Sequence, residues 1–159
     1  MLRLLLALML LLGLAACRTA PDDEPLARNP ATWRVDGALD FVRPDGSVIR
    51  TVDLEIAADA ESRRVGLMNR RQITDDQAML FVFDAPDMQS FWMANTPLPL
   101  DIIFVGADSQ IVNIARRTKP LSHERVNSTG PAKYVVEVRG GFADRYGLTD
   151  STRIRWTAN

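Results

Sequence analysis

The chain has 159 residues, with 19 Lys and Arg against 20 Asp and Glu, one His and one Cys. A formal net charge of −1 gives no electrostatic reason to expect nucleic acid as a partner. A single Cys and a single His rule out a disulfide framework and leave too few ligands for a zinc centre, so no metal and no cofactor is expected.

Residues 1–16, "MLRLLLALMLLLGLAA", carry one cation, Arg3, then a leucine-rich run, then small residues. That is the plan of a secretory signal peptide. The run is shorter than the roughly 20 apolar residues that a membrane-spanning helix needs. "LAAC", ending at Cys17, resembles the lipobox of bacterial lipoproteins. The resemblance implies cleavage before Cys17 and a diacylglycerol on its thiol, hence a membrane anchor. Arg18 in the next position favours, by the same resemblance, the outer membrane facing the periplasm. Residues 17–32 hold three prolines and three consecutive acids, and read as the lipidated Cys followed by a flexible tether. Residues 33–159 then form a single β-rich domain.

Within that domain, "ALDFVRPDGSVIRTVDLEIA" is a hairpin turning at Pro44-Asp45-Gly46, where proline presets the turn and glycine takes the positive φ. Val48, Val52, Leu54 and Ile56 share one face by period two. Asp59 caps a helix of about two turns over Ala60–Gly66. Strands follow at Ala78–Phe83, Gln89–Met93, Leu100–Val105, Gln110–Arg116, Tyr134–Arg139 and Ile154–Trp156. Arg117–Ala132 is the longest loop and holds His123, read as a surface residue. "GGFADRYG" is a short helix stopped by Gly147. The pattern predicts a mostly β fold, a compact β-sandwich or partly closed barrel with one or two short helices.

The chemistry-bearing candidates are polar residues in apolar company. Asp101 lies in "PLDIIF" and Glu137 in "YVVEVR", both core-like strands. A buried carboxylate has to be paired or protonated. Arg70, after "GLMN", is a partner for Asp101 or Glu137. Two carboxylates in one cleft could instead do acid–base work. Trp92, Asn95 and Thr96 could line a shallow groove with the indole stacking on a ligand; Asn95-Thr96-Pro97 is equally a turn that bonds its own backbone. Met68, Met79 and Met93 are read as core filler.

Together, "GLM" with Arg70, "MLFVF", "FWM-NT", "PLDIIF" and "GPA-YVVEV" resemble the domain of unknown function 192 family, from about Val52 to about Arg155. The resemblance implies a compact, mostly β, often exported domain and no established activity. The positions matching its motifs are Arg70, Trp92, Asn95, Thr96, Asp101 and Glu137. The chain departs from the family where Ala94 replaces a lysine, Ala78 a glycine, and "TDS" a Gly-Asp. The expected function is a non-enzymatic binding module of the cell envelope, anchored through lipid on Cys17. Its ligand would be a small molecule, a glycan or an envelope protein. The alternative is a small hydrolase using Asp101 and Glu137.

Overall fold

The computed structural model describes residues 32–159. The expected signal peptide, Cys17 and the expected tether up to residue 31 lie outside the described residues. Among those described, no helix is long and apolar enough to cross a membrane.

The hairpin forms as its turn residues dictate. β1 (Gly37–Val42) and β2 (Val48–Ala57) pair antiparallel, and Gly46 takes φ +86° at the turn. α1 (Ala60–Val65) begins at Asp59, whose carboxylate accepts from the Ser62 N–H while the Ser62 hydroxyl accepts from the Asp59 N–H. This reciprocal cap satisfies N–H groups that a helix start leaves orphaned. α1 carries the chain to β3 (Gln77–Asp87), which runs parallel to β2. β4 (Ser90–Phe91), β5 (Leu100–Val105), β6 (Ile111–Ala115), β7 (Val126–Asn127), β8 (Ala132–Arg139), α2 (Phe142–Arg145) and β9 (Arg153–Ala158) complete the order.

Seven strands make one sheet in the order β6-β5-β8-β3-β2-β1-β9, and β4 pairs with β7 in a small ribbon. The outer strands approach each other at one bridge, Gln110 to Arg153, flanked by the bonds from Ile111 N to Thr152 O and Ile154 N to Ser109 O. The sheet is curled and not a closed barrel. Two expectations change. The strand expected over Gln89–Met93 shrinks to Ser90–Phe91, and the expected loop Arg117–Ala132 contributes β7 to pair with it.

The two faces of the sheet carry separate cores. The inner one gathers Leu39, Phe41, Leu54, Leu80, Ile103 and Val136 under α2, whose Phe142 ring meets Phe41 at 5.4 Å between centroids. The outer one gathers Leu67, Met79, Phe81, Met93, Ile102 and Phe104 beneath α1 and the β4–β7 ribbon. β5 is buried along its whole length because both its faces are covered. Its continuous apolar run reflects that position.

Candidate functional site

Among the described residues, three carboxylates are buried: Glu55, Asp101 and Glu137. Each meets its desolvation cost differently, and the differences locate the site.

Asp101 is fully buried. Its Oδ1 accepts from the backbone N–H of Arg117 (2.7 Å) and Gly141 (2.9 Å), and its Oδ2 from Ala143 (2.8 Å). It thus tethers the start of α2 and the strand-to-loop exit at Arg117, and the inner core seals it. Glu55 is also fully buried. Arg70 Nη2 donates to both its oxygens at 2.8 and 2.7 Å, and the Arg34 N–H donates to Oε1 at 2.7 Å. The Arg70 guanidinium lies 5.2 Å from the Trp33 ring centroid and bonds the Thr32 carbonyl. Arg70 therefore pairs with Glu55, not with Asp101 or Glu137 as the sequence suggested. Glu55 is the acid that sequence reasoning missed, although "DLEIA" carries the same signal as "LDII": a carboxylate among β-forming apolar neighbours.

Glu137 is the exception. It is only 5% exposed, yet it makes no hydrogen bond or ion pair with the described residues. Burial pushes its carboxyl up to about 8, so at neutral pH it is mostly protonated. In the β5–β8 register Ile102 opposes Glu137 and Asp101 opposes Val138. Side chains alternate along a strand, so Glu137 and Asp101 project from opposite faces of the sheet. The carboxylate pair expected of a hydrolase does not exist.

What Glu137 faces is a cleft of about 470 Å³. Its floor is Phe81 and Leu67 from the outer core. One wall is α1 with Arg63 and Gly66, and the other is β4 with Phe91, Trp92, Asn95 and Thr96. Gly66 ends α1 at φ +49°, and a Cβ there would come within 3.1 Å of Phe81 Cζ and 3.9 Å of Glu137 Oε2. The bare backbone at Gly66 leaves room beside the carboxyl. Phe91 packs edge-on against Phe81 at 5.0 Å and Phe104 at 6.0 Å, which fixes the wall. Trp92 is 43% exposed, with Arg125 4.7 Å from its ring centroid and the His123 ring edge-on at 6.2 Å.

The structure thus brings together four of the six expected residues: Trp92, Asn95, Thr96 and Glu137. It places Arg70 beside a different, smaller concavity of about 370 Å³ with Trp33 and Gln77, and Asp101 in the inner core. Asn95 and Thr96 also behave as the turn they were equally read to be. Thr96 N donates to Met93 O at 3.0 Å, while Asn95 O and Thr96 O accept from Asn69 and Leu121. The cationic rim was not anticipated. Arg63 and Arg125 come from a helix and a loop far apart in sequence, and only the fold unites them. Among the described residues, no group of His, Cys, Asp and Glu is arranged to hold a metal ion.

Among curated proteins, none matches this chain. A structure from Sinorhizobium meliloti 1021, titled as a "putative transcription regulator", is similar at 32% identity and a TM-score of 0.72; the match covers 76% of this chain and 92% of that one. A protein of unknown function from Novosphingobium aromaticivorans DSM 12444 is similar at 34% identity and a TM-score of 0.71, covering 75% and 84%. The family model described as Uncharacterized ACR, COG1430, matches residues 41–156. Those residues take in both helices, the whole cleft and the sheet apart from most of β1 and the end of β9, and on that match the chain belongs to the DUF192 family.

Proposed function

We propose that this protein is a non-enzymatic binding module of the cell envelope, held at the membrane by lipid on Cys17, with its ligand seated in the cleft above Glu137. The observation that carries the reading is the unpartnered carboxyl. Glu55 and Asp101 are bonded by groups of the protein, whereas the Glu137 carboxyl lines the cleft and is left for a partner that enters it. Aromatic walls, a few polar groups and the cleft volume are ordinary attributes of small-molecule sites.

The test is a thermal-shift and tryptophan-fluorescence screen of the purified full chain in nanodiscs, over neutral, anionic and cationic ring compounds and short glycans. We expect a subset to raise the melting temperature and perturb Trp92, with the compound recovered unchanged. A flat response in both signals, or conversion of the compound, would remove the reading. The anchor has its own check: Cys17→Ser should move the protein out of the membrane fraction, and persistence there would discard the lipid assignment.

A further inference from the structure

We infer that the ligand is a small carboxylate carried on a flat ring. The ring rests against the surface formed by Phe83, Phe91 and Trp92, the anion meets the guanidinium of Arg63 or Arg125, and a hydrogen-bond acceptor at the inner end meets Glu137. This rests on the cleft being a binding site and adds the chemistry of what fills it.

Charge is the first ground. Three guanidinium groups line the cleft: Arg63, Arg64 and Arg125. Arg64 is taken by Glu61 through two bonds of 2.9 and 2.6 Å. Arg63 gives Nη1 to the carbonyls of Ala58 and Val82 and has no carboxylate partner. Arg125 makes no hydrogen bond or ion pair with the described residues. The one carboxyl in the lining is Glu137. A cationic ligand would have to pass two uncompensated cations to reach a neutral acid, whereas an anion is attracted throughout.

Shape is the second ground. Arg63 stacks over Phe83 at 5.3 Å and Arg125 over Trp92 at 4.7 Å. Arg125, and Arg63 apart from the Nη1 given to two carbonyls, keep N–H donors for a carboxylate. The same rings, with Phe91 edge-on to Phe83 at 6.5 Å, offer apolar surface to a flat body. At the inner end a protonated Glu137 supplies one O–H donor.

The groups facing Glu137 are Arg63 and Arg64 from α1 and Arg125 from the loop, with His123 beyond Trp92. None is a second acid, so raising the pH ionises Glu137 and turns its end of the cleft against an anion.

The probe is 4-acetylbenzoate, with its neutral methyl ester, 4-acetylbenzylamine and glucuronate as comparisons, titrated calorimetrically into the full chain in nanodiscs. We expect the benzoate to bind roughly tenfold or more tighter than its ester, and Arg125→Gln and Arg63→Gln each to weaken it about fivefold or more. Its affinity should fall about tenfold between about pH 6.5 and about pH 9.5, and that dependence should vanish in Glu137→Gln. An ester that binds as well as the acid, or an amine that binds better, overturns the anion and leaves the cleft as a site. Glucuronate binding in place of the benzoate overturns the flat ring. Silence from all four overturns the inference; the binding reading falls with it only if the broad screen is also flat.

Discussion

Glu137 keeps its proton because nothing in the fold compensates its charge, and this makes stability depend on pH with a definite sign. The unfolded carboxyl ionises near 4.5, the folded one near about 8. Between those values the native state binds more protons. The contribution of the neutral carboxyl is therefore complete below the unfolded pKa and is lost as pH rises through about 8. Glu137→Gln should match wild type in stability near pH 4 and exceed it by on the order of 5 kcal/mol at pH 9. Urea unfolding at several pH values checks this, and a difference that does not change with pH would show that the carboxyl has a partner after all. Asp101 is held by hydrogen bonds instead. Asp101→Asn replaces an oxygen that accepts from a backbone N–H with an amide donor, and should cost about 3 kcal/mol at pH 7. Asn95→Ala loses only a 3.8 Å contact with Met68 Sδ and should stay within about 0.5 kcal/mol. Denaturation midpoints of the two variants separate a structural acid from a cleft-lining amide. "LDII" and "VVEV" mark both acids as buried in the sequence. Which face each uses depends on strand register, which a single chain does not display, so Arg70 was matched to the wrong acids and Glu55 was passed over.

The elements that build the cleft are short, and their local signals differ in strength. α1 owes its position to the Asp59–Ser62 cap. Asp59→Ala should cost about 1 kcal/mol, and since α1 is one wall of the cleft, ligand affinity should fall with it. Paired melting and titration curves test this; lost stability with unchanged affinity would mean that the wall is held from the sheet side. The cap, the Pro44-Asp45-Gly46 hairpin and β5 are legible in the sequence because each follows from residues within a few positions. β3 runs on to Asp87, past the expected end at Phe83. The reason is nonlocal, since Asp87 pairs with Ala132 of β8 across an irregular register. β4 and β7 are two residues each, too short to show any period, and exist because Ser90 opposes Asn127 and Phe91 opposes Val126.

At the scale of the molecule, one sheet separates two cores, and its middle strands are the most protected. Hydrogen exchange should be slowest at β8, β3 and β2, the three central strands of the seven, and fastest in the β4–β7 ribbon. Exchange in the ribbon as slow as in β8 would mean that the cleft wall is part of the rigid body and cannot move to admit a ligand. A mostly β fold was legible from turn spacing and alternation. The order of the strands was not, because β1 lies between β2, its neighbour in sequence, and β9, the last strand. Phe41 pairs with Ile154, and Leu39 with Trp156, across almost the whole domain. A chain made from its first residue onward therefore has its β1–β2 hairpin early but leaves the far side of β1 unpaired until Arg153–Ala158 is available. Such distant pairing places folding in the slow range, roughly milliseconds to seconds, and exposes a sticky strand meanwhile. Refolding from denaturant should therefore yield less native protein as concentration rises.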